Sequence, residues 1–144
     1  MKKIENKTKI ILSDKEIKKV FEIKNKCRGE NLGVKFEEIK KEIPDFDYNN
    51  QDKKFEMISN ILFATGDINN NPKELQCKEC GSKFVIEYAY GDVFYRLFNG
   101  NEQQKKEEKE KLKKSGLFIN VSPYAKEDKD YDYCCLSCGY EWNR

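Results

Sequence analysis

The sequence predicts an α+β fold: a small N-terminal helical bundle followed by an antiparallel β domain built around a metal, with a charged helical insertion. Three observations lead there. Apolar residues recur at helical spacing through the first part of the chain, strand-like alternation is confined to the second part, and every cysteine but Cys27 lies beyond residue 76. At 144 residues the chain can form one ordinary domain or two small ones. A boundary is expected at 70/71, because Gly66-Asp67-Ile68-Asn69-Asn70-Asn71-Pro72 is dense in turn formers. The helical domain is then 1–70 and the metal-bound domain 71–144, with the insertion near 99–116.

Ser13 and Glu16 form a capping box ahead of Ile17, Val20, Phe21 and Cys27, which predicts a helix over 14–28 closed by Gly29. A second helix over 34–43 places Phe36, Ile39 and Ile43 on one face. It must stop before Pro44, since the residue preceding proline is pushed out of the helical region. A third begins after Asn49 or Asn50, turns Phe55, Ile58, Ile61 and Leu62 inward and ends near Gly66. Helices this short depend on burying their apolar stripes against one another. Cys27 falls on such a stripe, 50 residues before the next cysteine, and reads as core. Three helices also suit a helix-turn-helix, but from Cys27 to Leu75 seven basic residues face ten acidic ones, a balance that repels DNA.

Beyond the boundary, Phe84, Ile86, Tyr88 and Tyr90 alternate with Lys83, Val85, Glu87 and Ala89, the pattern of a half-buried strand. Gly91-Asp92 turns the chain into 93–98. The lysine- and glutamate-rich stretch 99–116 reads as a solvated helix supported by i,i+4 pairs, or as a mobile insertion. Leu117, Ile119 and Val121 mark another strand, and 131–133 with 140–142 form a hairpin. Trp142 and the tyrosines are expected to cover the core beside the metal.

The metal itself is read from Cys77-Lys78-Glu79-Cys80-Gly81 and Cys135-Leu136-Ser137-Cys138-Gly139. In each, two intervening residues let both thiolates reach one ion, turn amides stabilise the negative sulfur, and glycine permits the tight turn. Cys77, Cys80, Cys135 and Cys138 together complete a tetrahedral shell, so one structural Zn²⁺ is expected, with no position left for water. Cys134 is the alternative to Cys135, but only Cys135 repeats the first spacing and its trailing glycine. The rival reading of either Cys-x-x-Cys is a thioredoxin-like redox pair.

Composition removes much enzyme chemistry. The chain has no histidine, which excludes Ser-His-Asp and Cys-His nucleophilic systems and every histidine-containing metal site. With the thiolate shell closed as well, the chain is expected not to be an enzyme. Its 28 basic and 26 acidic residues leave a net charge of +2, which marks neither a simple polyanion binder nor an acidic tail. Arginine occurs only as Arg28, Arg96 and Arg144, so the guanidinium forks favoured for reading guanine are scarce. No apolar run reaches the roughly 18 residues of a membrane span, and Met1-Lys2-Lys3-Ile4-Glu5-Asn6-Lys7 is followed only by Ile10-Ile11-Leu12. The expectation is a cytoplasmic chain that neither spans a membrane nor is exported.

The segment Ala125-Lys126-Glu127-Asp128 through Cys135-Leu136-Ser137-Cys138-Gly139-Tyr140-Glu141-Trp142, with the first knuckle, resembles the zinc ribbons of transcript-cleavage elongation factors and small RNA-polymerase subunits. In the cleavage factors an Asp-Glu pair at a hairpin tip before the third cysteine reaches the polymerase active site and helps hold a catalytic metal. Here Lys126 stands in the place of that aspartate, Glu127 in the place of the glutamate, and Asp128 follows. The resemblance implies a non-enzymatic zinc-ribbon protein that docks on and modulates nucleic-acid-processing machinery such as RNA polymerase, through protein contacts. One alternative is a phage or mobile-element inhibitor of the anti-CRISPR type, blocking an RNA-guided nuclease, with an acidic strip at Glu37-Glu38, 45–47 or 127–130 imitating a nucleic-acid backbone. The other is direct nucleic-acid binding through Lys105, Lys106, Lys109, Lys111, Lys113 and Lys114 and exposed tyrosines.

Overall fold

The computed structural model describes residues 9–47, 49–91 and 94–144; Asp92 and Val93, where a turn was expected, and the starting segment 1–8 lie outside them. Three helices come first, and each begins where a side chain satisfies an otherwise unpaired amide. The first, α1 (Asp14–Lys26), opens on a reciprocal box in which the Glu16 amide donates to Ser13 Oγ (3.1 Å) and the Ser13 amide to Glu16 Oε1 (2.9 Å). It closes through Cys27, with Gly29 just beyond at φ 89°. Helix α2 (Leu32–Glu42) starts earlier than its apolar stripe suggests, because Asn31 caps the Val34 amide. Helix α3 (Lys53–Phe63) starts later, because Asp52 rather than Asn49 or Asn50 is the cap. Phe36, Phe46 and Phe55 fill the space between α2 and α3, with ring centroids 5.6 to 6.3 Å apart.

The remaining elements are β1 (Val85–Tyr90), the short helix α4 (Tyr95–Asn99), α5 (Glu102–Ser115), β2 (Phe118–Ser122), β3 (Tyr133–Cys135) and β4 (Glu141–Trp142). The strands form one sheet in the order β2-β1-β3-β4. The α+β class agrees with the sequence reading, but the sheet is mixed rather than antiparallel. β3 pairs antiparallel with β1 and with β4, whereas β2 lies parallel to β1. Two parallel neighbours need a crossover of a dozen or more residues, and the charged insertion, as α4 and α5, is that crossover. Asn101 and Gln104 form a second capping box that starts α5.

The sheet has two unlike faces. Cross-strand partners share a face, so Ile86 and Cys134 turn together toward the helices, while Val85 and Cys135 turn to the other side. Ile86, Leu117, Cys134 and Leu136 are buried in the same apolar cluster as Leu12, Ile17, Val20, Ile39, Ile58 and Ile61. The core therefore runs without a break across position 70. Backbone bonds repeat the connection: Thr65 and Phe118 exchange amide–carbonyl bonds of 2.7 and 2.9 Å, and the Ile11 and Leu12 amides both donate to the Ser137 carbonyl, at 2.7 and 3.0 Å. Gly66 is required at the first of these crossings, since a Cβ there would lie 2.6 Å from the Gly116 carbonyl oxygen.

A core shared in this way predicts one unfolding transition. Ile86→Ala, a truncation at a fully buried strand position, should cost about 2–5 kcal/mol. Far-UV circular dichroism, which reads mostly the helices, should report the loss in full. Helices that melt at an unchanged temperature would contradict the shared core.

Candidate metal centre

The two cysteine turns are built alike. In the first, the Gly81 amide donates to the Cys77 carbonyl (2.8 Å) and the Cys77 amide to the Ser82 carbonyl (2.9 Å). In the second, the Gly139 amide donates to the Cys135 carbonyl and the Cys135 amide to the Tyr140 carbonyl, both at 2.9 Å. Gly81 and Gly139 adopt φ of 81° and 80°, the left-handed conformation that tightens each turn and that side chains disfavour. The amides of Glu79 and Cys80 face the Cys77 sulfur, and those of Ser137 and Cys138 face the Cys135 sulfur.

The turns meet sulfur to sulfur. Cys77 Sγ lies 3.7 Å from Cys138 Sγ, Cys80 Sγ lies 3.5 Å from Cys135 Sγ, and all four sulfurs fall within 4.8 Å of one another. Tetrahedral Zn–S bonds of about 2.3 Å require S···S separations of about 3.8 Å, so the four cysteines are positioned for one metal ion and fit a structural zinc. Both of these approaches join one turn to the other, as sharing of one ion requires. Cys77 and Cys135 are buried, and Cys80 and Cys138 are half-buried at the rim.

Strand alternation separates Cys135 from Cys134. Neighbouring residues on β3 point to opposite faces, so Cys134 enters the core, where its thiol meets the Tyr88 hydroxyl and the Cys135 carbonyl. Burial is the main cause that pushes the Cys134 thiol up to about 12, with Glu141 and Glu56 adding to it. Cys27 is likewise buried in the apolar cluster.

The centre is fastened to the helices at two points. Ser137 Oγ, inside the second turn, donates to the Leu12 carbonyl (2.7 Å), reciprocating the two amides it receives through its own carbonyl. Ser82, just after the first turn, donates to Asp14 Oδ1 (2.9 Å) at the start of α1 and accepts from the Phe84 amide. These serines were missed in the sequence, where nothing distinguishes them from ordinary turn residues. Trp142 stacks on Tyr140 (5.5 Å) and packs against Tyr133 (5.6 Å), covering the sheet on the side of Cys135.

The other candidate residues lie away from this centre. Lys105, Lys106, Lys109, Lys111, Lys113 and Lys114 sit on α5 among Glu102, Glu107, Glu108 and Glu110, and α4 packs on that helix. The 126–130 stretch does not crown a hairpin, because β1 lies between β2 and β3. Lys126 is held instead by Asp132 (3.2 Å), and the Glu127 and Asp130 backbones close a turn. Among the described residues no helix is long and apolar enough to cross a membrane. The chain matches no family model, no curated protein and no solved structure.

Two outcomes follow. Metal analysis should find one zinc per chain, lost in Cys135→Ser and retained in Cys134→Ser; the reverse would move the ligand to Cys134. Metal uptake should also release protons. Burial raises the Cys135 thiol far above its ordinary range and the Cys138 thiol to about 11, so both are protonated near neutrality, while turn amides and neighbouring thiols outweigh burial and lower Cys77. A thiol protonated before binding must give up its proton to the solvent when the ion binds, so affinity falls as pH falls. Calorimetry in buffers of different ionisation enthalpy should report about two or more protons per ion near neutral pH.

Proposed function

We propose that this chain is a non-enzymatic zinc protein that docks on nucleic-acid-processing machinery and modulates it. The observation that supports the reading is the closed four-sulfur centre, whose turns are fastened to the helices by Ser82 and Ser137. Four thiolates around one zinc leave no position for water or substrate, so the ion organises surface rather than chemistry. The sequence offers no histidine as a general base. The pairing of two Cys-x-x-Cys-Gly turns, like that of polymerase-associated zinc ribbons, favours a partner in that machinery.

An inhibitor acting on an RNA-guided nuclease is the second reading, favoured by the acidic 127–130 strip rather than by the other two. Glu38 is paired with Lys26 and Lys41, and Asp45 with Lys54. The 127–130 strip borders an open groove. Direct nucleic-acid binding by α5 is the weaker alternative, because Glu107, Glu108 and Glu110 interrupt its lysines.

Affinity purification of the tagged, zinc-loaded chain from its native host tests the reading. A polymerase subunit or other nucleic-acid enzyme should co-purify, with its activity altered; salt-sensitive nucleic acid alone would overturn it. The isolated chain should not cleave nucleic acid with Mg²⁺, and cleavage abolished by Glu127→Ala with the fold intact would make it an enzyme.

A further inference from the structure

The helices cover only part of the sheet face that they pack against. Ile86 is fully buried beneath them, whereas Tyr88 and Tyr90, next along the same face of β1, are only half-buried. The two tyrosines line a groove of about 480 Å³ between α3, the ends of β1 and β2, and the segment joining β2 to β3. A volume of this order lies in the range of sites that take a ligand or a side chain.

The charge around the groove is strongly one-sided. Carboxylates reach it from separate elements: Glu56 on α3, Glu127 and Asp130 on the β2–β3 segment, and Glu141 on β4. Lys129 is the single ammonium among its lining residues. Glu56 also approaches Lys53 (3.3 Å) along α3, and Glu141 accepts from the Tyr88 hydroxyl (2.9 Å). The surrounding groups register the negative field. Burial is the largest cause that raises both hydroxyls; Cys134 and then Glu141 add to it at Tyr88, and Asp130, Asp132 and Glu141 add to it at Tyr90.

Tyrosine faces attract cations through the ring quadrupole, and the attraction grows as water is displaced. Carboxylates beside such rings suit a planar guanidinium best, because it can stack on the ring and fork onto the acid at once. We propose that this groove is a docking site for an arginine-rich basic segment of a partner protein. The assignment deepens the docking reading above and rests on it for the partner being a protein; the rings and the charge complementarity name that partner's chemistry. Basic segments of this kind are the surfaces with which nucleic-acid enzymes hold phosphate, so occupation of the groove would cover one.

The test uses the zinc-loaded full chain and a fluorescein-labelled peptide of alternating arginine and glycine, read by anisotropy. The peptide should bind, more weakly as salt is raised, while a labelled glutamate–glycine peptide and a labelled single-stranded oligothymidylate, each titrated on its own, should not bind. Glu127→Lys and Glu56→Lys, on different elements, should each weaken binding about tenfold, with zinc content and circular dichroism unchanged. Glu22→Lys, an equal charge change on α1, should leave affinity as it was. No binding of the arginine peptide, an equal loss in Glu22→Lys, or preference for the oligonucleotide would overturn the groove assignment. A native partner captured equally well by wild type and by Glu127→Lys would overturn it too, while leaving the docking reading in place.

Discussion

Four sulfur atoms from two turns, with 54 residues between Cys80 and Cys135, must converge within 4.8 Å, and much of the architecture follows from that demand. Each turn can present two thiols only if a glycine takes the left-handed conformation behind it and the turn amides point inward at sulfur. Pairing of β3 with β1 then brings the turns face to face, since Val85 and Cys135 are cross-strand partners and Leu136 donates to the Phe84 carbonyl. The second turn also lies against the segment that leads into α1. Ile11, Leu12 and Ser137 form three short bonds there, and Gly139 passes so close to Ile11 that a Cβ would sit 3.1 Å from its side chain. A metal at this point would order the turns, and through Ser137 the Ile11–Leu12 segment that bonds to the second of them.

The same geometry accounts for the insertion. With β3 and β4 occupying one side of β1, β2 adds on the other and runs parallel to it, so the chain must travel back along the sheet before re-entering. Phe94 anchors the return against Phe118 (6.1 Å), and α5 then extends with charged residues over most of its surface. A helix so placed is held by its caps and its i,i+4 pairs, such as Gln103 to Glu107 (3.0 Å), more than by burial. On the opposite face, α1–α3 are long enough to cover Ile86 but leave Tyr88 and Tyr90 accessible, and the acidic groove is the consequence.

Local features were legible in the sequence because local chemistry determines them. Ser13 with Glu16, the apolar stripes of α1 and α3, and the matched cysteine spacings each state their structure within a few residues. Phe46 was less visible: flanked by Asp45 and Asp47 it looks like part of a charged strip, yet it is fully buried between Phe36 and Phe55. The parallel register of β2 could not be read, because alternation reports which face a residue takes and not the direction of its neighbour. Nor could the clasp between Leu12 and Ser137, residues 125 apart whose bonds are largely backbone. The groove was hidden for the same reason, since Glu56, Glu127, Asp130 and Glu141 converge only after the fold is complete.

The metal centre and the helices meet through Ser137 and should behave as one cooperative unit. Amide hydrogen exchange, compared between the zinc-loaded chain and the chelated chain, tests it most directly. The Ile11 and Leu12 amides and the first turns of α1 should lose protection together with 135–139 when the metal is removed. Protection of α1 that persists unchanged while the cysteine turns exchange freely would contradict it.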